Sequence, residues 1–323
     1  MKFKNWTLMI LSVAILALLG FGLSSCDSSG SGNSSKNYTG IVIGGGTANF
    51  TLIGNNLKYS EESIDVNKIS LKINPYIYKN LDTEDYDFLS NTLGLVNINN
   101  KIMIGFNNIN LSFLNYPIDN DYTYLNNTFN TVKIHIQSYY DDENEQLIRV
   151  WKKGKEQGSW ELRNNYIALY DDRGYHKYNA ILKEDGSILI SSVDEDKFGV
   201  GMLSNTATNK NDLVGKTVKY WYNDVFYNYF GEMKITGTDD KGNLVGKFTQ
   251  YSSISIQPPT LPDKGKIKIS LENNNYGTLT FIPSTGITKT FKTIFNTMGG
   301  YFIGINKANI LNPPYVAIIG TFD

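Results

Sequence analysis

The sequence predicts an all-β fold of antiparallel meanders, and three observations carry that prediction. Helical periodicity is nearly absent from the 323 residues. Short runs of Val, Ile, Thr, Tyr and Phe recur instead, each bounded by Gly, Asn or Asp, the pattern of strands joined by tight turns. The joints spell turns themselves: Asp239-Asp240-Lys241-Gly242, Asn273-Asn274-Asn275, Pro283-Ser284-Thr285-Gly286 and Asn312-Pro313-Pro314 supply residues that preset φ or tolerate its positive values. The expected architecture is two barrel-like or sandwich units, the C-terminal one an eight-stranded up-and-down barrel.

The chain opens on Lys2 and Lys4, then an almost unbroken apolar stretch over 8–19, then small residues, the layout of an export signal. The stretch closes on Leu23-Ser24-Ser25-Cys26, and Cys26 is the single cysteine. These four residues resemble the lipobox of bacterial lipoprotein precursors. The resemblance implies that lipoprotein-processing enzymes attach a diacylglyceryl group to the Cys26 thiol, cut before it so that 1–25 is a removed signal peptide, and acylate the new α-amine with a palmitate-type chain. Two other readings of the residues stay open. One is an uncleaved transmembrane anchor, since 7–23 just reaches the roughly 17–25 residues that span a bilayer. The other is a plain secretory signal with an incidental thiol. An unpaired exposed thiol is a liability in an oxidising compartment, so a cysteine-free body with one thiol at the cleavage point fits lipidation best. One acyl chain holds marginally at about 0.8 kcal/mol per buried CH₂, and two or three hold for practical purposes permanently. The expected location is the bacterial cell envelope, at the inner or outer membrane or the cell surface, with the membrane as first partner.

After Cys26 the residues Asp-Ser-Ser-Gly-Ser-Gly-Asn-Ser-Ser-Lys-Asn have nothing to bury, so 26–37 reads as a flexible tether. The body beyond it is 41% hydrophobic and 13% aromatic by whole-chain composition, with a net charge of −1. Nucleic acid is excluded as a partner, because its binding needs clustered Lys and Arg.

Residues 38–204 are expected to form an N-terminal β domain. Strands are predicted at 41–44, 48–53, 69–73, 95–99, 101–106 and 132–136. Residues 141–153 hint at a helix, acidic at the start, basic at the end and stopped by Gly154, although 147–151 reads equally as a strand. Hairpins follow at 159–163, 166–170, 175–183 and 187–191. Here Trp160-Glu161-Leu162, Ile167-Ala168-Leu169, Gly174, Tyr178 and Asp185-Gly186-Ser187-Ile188-Leu189 resemble the mid-section of small bacterial lipocalin-like domains. That resemblance implies a calycin-like barrel able to hold one small apolar ligand.

The segment 205–212 has no apolar anchor and marks a boundary. From 213 to 323, strands at 216–223, 230–238, 243–255, 265–272, 276–282, 287–296, 301–306 and 315–322 are enough to close a barrel without free edges. Aligning Gly174 with Gly286 matches Ile167 to Leu279, Leu169 to Phe281 and Lys177 to Lys289. An internal duplication would do this, and so would any two glycine-turned hairpins.

Catalytic and cofactor motifs were tested against their chemistry. Ile41-Val42-Ile43-Gly44-Gly45-Gly46-Thr47-Ala48-Asn49 resembles a dinucleotide fingerprint, but Asn49 stands where the third glycine belongs and a β-prone run follows instead of a helix. A hairpin turn at 44–46 is expected. His135 and His176 are the two histidines, too few for a zinc site of ordinary composition. The acidic clusters at 82–87, 141–143 and 194–196 lack the spacing of a calcium loop and read as solvated turns. No catalytic residue, cofactor or metal is expected. Aromatics crowd 220–230, where strand alternation puts Tyr220 and Tyr222 on one face and Trp221 on the other. They either line a barrel interior or, with Trp221, Phe226, Tyr227 and Tyr229, form a rim for a glycan, a protein or a small apolar ligand. The expected function is a membrane-anchored exported lipoprotein of non-catalytic binding or surface-structural type, not an enzyme. The alternatives are a carrier of a lipid or other small apolar molecule, and a carboxylate-dependent glycoside hydrolase.

Overall fold

A computed structural model of the chain describes residues 35–43, 46–53, 56–61, 70–72, 78–80, 85–89, 91–98, 101–194, 197–223, 228–253, 262–273, 275–307 and 315–322. Leu23, Ser24, Ser25, Cys26 and the residues before them lie outside the described residues. The described strands fall into three consecutive groups of eight.

The first group is β1 (Ser35–Val42), β2 (Thr47–Ile53), β3 (Asn56–Glu61), β4 (Ser70–Lys72), β5 (Tyr78–Asn80), β6 (Asp85–Leu89), β7 (Leu93–Ile98) and β8 (Lys101–Asn107). They form one sheet in the order β4-β3-β2-β1-β8-β7-β6-β5. Ser35, Lys36 and Asn37, expected as the end of a tether over 26–37, belong to a strand and pair with Ile53, Leu52 and Thr51; residues 26–34 lie outside the described residues. The β1–β2 joint is the hairpin predicted in place of a nucleotide loop: Val42 N donates to Gly46 O at 3.1 Å, and Gly46 has a φ of 97° that suits glycine.

The second group closes into a barrel: β9 (Ile118–Asn126), β10 (Thr131–Asp141), β11 (Gln146–Lys153), β12 (Glu156–Leu162), β13 (Ile167–Asp171), β14 (His176–Leu182), β15 (Ser187–Ser192) and β16 (Phe198–Leu203), with β16 pairing back to β9. The third group closes likewise: β17 (Thr217–Asn223), β18 (Asn228–Thr238), β19 (Leu244–Ser253), β20 (Asp263–Asn273), β21 (Tyr276–Pro283), β22 (Lys289–Asn296), β23 (Tyr301–Lys307) and β24 (Tyr315–Phe322), with β24 pairing to β17. The class is all-β, and the C-terminal unit is the predicted eight-stranded barrel. The stretch 38–204 differs from expectation in holding both an open sheet and a closed barrel.

The helix hinted at over 141–153 is a hairpin. Asp141 Oδ1 accepts Glu143 N at 3.1 Å, Asn144 Nδ2 donates to Asp141 Oδ2 at 2.6 Å, and Gln146 to Lys152 pair back onto β10. The acidic start and basic end belong to a turn tip and a strand, since Asp and Asn satisfy turn backbone as readily as they cap helices.

Alternation sorts the apolar residues into three cores. Ile134, Ile136, Trp151, Trp160, Ile167 and Leu169 are among the side chains filling the first barrel. Tyr220, Tyr222, Phe248, Phe281, Phe291 and Phe295 are among those filling the second. The outward faces of both barrels and the open sheet share a third core, to which Ile104, Leu189, Val200, Trp221, Ile294 and Ile319 belong. An eight-stranded barrel is just wide enough for such filling. Each barrel is stoppered at one end by the segment before its first strand: Leu111 and Leu114 of a 3-10 turn at Ser112–Asn115 in the first, and Leu213 of the short helix Lys210–Leu213 in the second.

The residues aligned in the sequence as a repeat hold equivalent places. Ile167 and Leu169 lie in the fifth strand of the first barrel, Leu279 and Phe281 in the fifth strand of the second, and all four are buried in their barrel interiors. The lysines fall out of step: Leu169 faces Tyr178, whereas Phe281 faces Lys289, so the alignment slips by one residue across the turn.

Candidate functional site

The predicted rim divides when its residues are placed. Trp221 is fully buried in the core between the layers, so it is not a rim residue; strand alternation turns it outward from the barrel into the neighbouring sheet. Phe226 and Tyr227 lie outside the described residues. Tyr229 is half-buried and stands at the end of the second barrel opposite the Leu213 stopper. There it stacks on Tyr222 with ring centroids 4.6 Å apart, and Lys289 Nζ sits 3.8 Å from its ring centre. Below this stack Gln250 Oε1 accepts from Tyr220 Oη at 3.2 Å, and Gln250 Nε2 donates to Asp263 Oδ2 at 3.3 Å. Burial raises the Tyr220 hydroxyl well above its ordinary pKa, with the Asp263 charge adding to the effect. This end of the barrel therefore offers ring faces, a lysine and a buried amide.

The first barrel has a polar counterpart at its unstoppered end. Lys153 and Glu156 flank the β11–β12 turn, 2.9 Å apart, and Tyr178 Oη donates to Glu156 Oε2 at 2.8 Å. Lys153 also bonds Tyr178 Oη. Desolvation pushes the Glu156 carboxyl up, yet hydrogen bonds from Lys153 and Tyr178 outweigh it and leave the carboxyl below its ordinary value.

An open cleft of ≈ 650 Å³ lies beside β12, β13 and β14, lined by Leu162, Arg163, Asn164, Tyr166, Tyr170 and His176. Its polar groups are pre-positioned. Arg163 Nη2 donates to Tyr170 Oη at 2.7 Å and pairs with Glu161 Oε2 at 2.8 Å. Tyr170 stacks on the His176 ring with centroids 5.1 Å apart, and His176 Nε2 lies 2.8 Å from Asn179 Oδ1. A flat aromatic wall thus stands beside a guanidinium and an amide. The sequence shows His176 only as a residue beside a turn; the signal that would have found it is that Tyr170 and His176 flank one tight hairpin and so stand opposite each other.

The other candidates are ordinary. His135 is on the barrel's outer face, with Nδ1 3.0 Å from Asp121 Oδ1. Asp141 caps its turn, and Asn144's hydrogen bond holds its carboxyl below the usual range. Of the remaining acids, Glu195 and Asp196 lie outside the described residues, as do Asp82 and Glu84. Among the described residues no group of three His, Cys, Asp or Glu side chains is placed to hold a metal, and no helix is long and apolar enough to cross a membrane.

Fold and cleft together define a two-barrel, all-β protein with side-chain-filled barrels and a polar, aromatic-walled surface cleft. No protein-family model matches the chain, and no curated protein matches it. Among solved structures the chain is similar to the crystal structure of a protein with unknown function from the DUF3598 family of Nostoc punctiforme, at 11% identity over 63% of this chain and 93% of that one, with a TM-score of 0.27.

Proposed function

We propose that the chain is a lipid-anchored protein of the bacterial cell envelope whose β-body is a non-catalytic binding or surface-structural protein, and that the Arg163 cleft is its contact site. The anchor reading is supported by the lipobox-like Leu23-Ser24-Ser25-Cys26 and the Gly/Ser-rich run after it. The binding reading is carried by one observation, the pre-positioned wall of Arg163, Tyr170 and His176 around an open cleft. Groups already held in place lose little freedom on binding. Metabolic labelling with palmitate tests the anchor: label enters the wild type and not Cys26→Ser, and equal labelling of both sinks it. Saturation-transfer NMR against envelope saccharides and peptides tests the cleft, with Arg163→Gln and Tyr170→Ala each expected to weaken the contact at least tenfold; a contact indifferent to both removes the cleft from the reading.

A second reading, carriage of a small apolar molecule, is favoured by the Tyr222–Tyr229 stack under Lys289 at the unstoppered end of the second barrel. Native mass spectrometry separates the two, since a carrier retains bound mass through purification and a surface binder is released empty.

A further inference from the structure

Two cations project from β11 into the first barrel, and they are treated differently. Lys153 is paired with Glu156 and Tyr178. Arg149, four residues earlier and so on the same inward face, is not. Its Nε is buried with no hydrogen-bond partner, and among the described residues its guanidinium meets no carboxylate, only the face of Trp160 with Cζ 5.2 Å from the ring centre. The neighbours able to help are already engaged. Ser138, directly across the ladder, accepts from Ile118 N at 3.1 Å and donates to Tyr116 O at 3.2 Å. Trp160 Nε1 donates to Gln137 O at 2.9 Å. The charge therefore stands desolvated on one side and, among the described residues, unmatched.

The backbone leaves an approach to it. β11 pairs with β12 only from Val150–Ser159 to Lys153–Glu156, so the ladder ends one step before Arg149 and Trp160. On its other side β10 and β11 continue paired to Asp141–Gln146, past the last β9 contact at Ile118–Ser138. The extended hairpin carries Tyr140, 55% exposed, on the same face as Arg149, and Tyr116, 72% exposed, precedes β9 at the same end. Large aromatics left in water beside an unmatched guanidinium make a two-part surface: a charge to be neutralised and rings to be covered.

We propose that Arg149 on the Trp160 face is a binding site for an oxyanion, a carboxylate or phosphate group carried on a small polar molecule whose body lies against Tyr140 and Tyr116. The planar fork of arginine suits both groups bidentately. None of the residues lining the Arg163 cleft belongs to this site.

Tryptophan emission of the full chain in nonionic detergent, at low ionic strength, is titrated with inorganic phosphate, glycerol 1-phosphate and glucuronate, with glucose as the uncharged control. A saturable change is expected with at least one anion and none with glucose. Phosphate alone marks a free-phosphate site, glycerol 1-phosphate a lipid headgroup, glucuronate an acidic sugar. Arg149→Gln weakens the response at least tenfold, Arg149→Lys by less, and Lys152→Gln, at an exposed lysine of the same strand, leaves it unchanged. No saturable response to any anion, or the same titration in Arg149→Gln as in the wild type, overturns the proposal. A measurement on the wild type alone stands beside the variants: phenylglyoxal modification of Arg149, read by mass spectrometry, is slowed by the anion that binds, and an unprotected Arg149 overturns the site.

Discussion

Asn296 of the second barrel donates from Nδ2 to Ser187 Oγ of the first at 2.9 Å, a bond between residues 109 positions apart. Both side chains are buried, Ser187 Oγ also bonds Tyr301 Oη, and Gly299 N donates to Asn296 Oδ1 at 2.7 Å. Each barrel thus supplies half of a polar knot in the seam between them. Replacing Asn296 by Ala strands the Gly299 amide and part of the Ser187 hydroxyl, and is expected to cost about 1–3 kcal/mol. Because Ser187→Ala removes part of the same network, the double variant should lose less than the sum of the singles. Urea unfolding of the two singles and the double decides this; strictly additive losses would show that the knot does not act as a unit.

Gly199 and Gly201 set how closely β16 approaches β9. A Cβ on Gly199 would fall 2.2 Å from Tyr124 Cδ2, and one on Gly201 would fall 2.4 Å from Thr123 O. The second obstacle is backbone and cannot swing away. Gly201→Ala is therefore expected to destabilise by about 1–3 kcal/mol or more through overpacking at the seam that closes the barrel, and Gly199→Ala by less, since the Tyr124 ring can shift. Thermal midpoints of the two variants check the order, and a Gly201→Ala midpoint at or above that of Gly199→Ala contradicts the geometry.

Those glycines also mark where the sequence was hard to read. Phe198-Gly199-Val200-Gly201-Met202-Leu203 looks broken by glycine, although the fold needs glycine there for contact between strands. β9 is missing from the expected strands; Asp119, Asn120 and Asp121 make its first half polar and at least partly solvent-facing within a long strand. The second barrel was predictable for the opposite reason: its turns carry Gly at positive φ, as at Gly242 and Gly286. The candidate sites were less legible. Alternation correctly separated Trp221 from Tyr220 and Tyr222, but which face meets water depends on a neighbouring sheet that no local pattern announces. Arg163, Tyr170 and His176 converge through hairpin register, and Arg149 is conspicuous because among the described residues its Nε has no hydrogen-bond partner.

The turn at Asp239 titrates at low pH. Its carboxylate accepts from Asn243 Nδ2 at 2.9 Å and from the Asn243 and Lys241 amides at 2.8 and 3.0 Å, and these bonds, the Asn243 side chain first, pull its pKa down to about 2. The folded value lies below the unfolded one, so the stabilisation is fully present above the ordinary carboxylate range and fades as pH falls through about 2. An NMR titration following the Asn243 amide should give that low midpoint. A midpoint near 4 would mean that the turn does not hold the carboxylate.

Trp151 and Trp221 are both buried, yet their indole nitrogens differ. Trp151 Nε1 donates to Tyr170 O at 2.8 Å beside the irregular register between Leu169 and Tyr170, while Trp221 Nε1 is buried and has no partner among the described residues. Replacement by Phe removes similar volume at each site. At Trp151 it also strands a carbonyl, a further cost of about 1–3 kcal/mol, whereas at Trp221 it relieves a desolvated donor that was contributing nothing. Trp151→Phe is therefore expected to be the more damaging change, by at least about 1 kcal/mol in denaturant unfolding. The same pair bears on function: Trp221→Phe should leave every ligand response intact, because a side chain enclosed between a barrel and a sheet cannot touch a partner. Loss of a ligand response in Trp221→Phe, with the fold intact by circular dichroism, would return this residue to the rim on which the sequence had placed it.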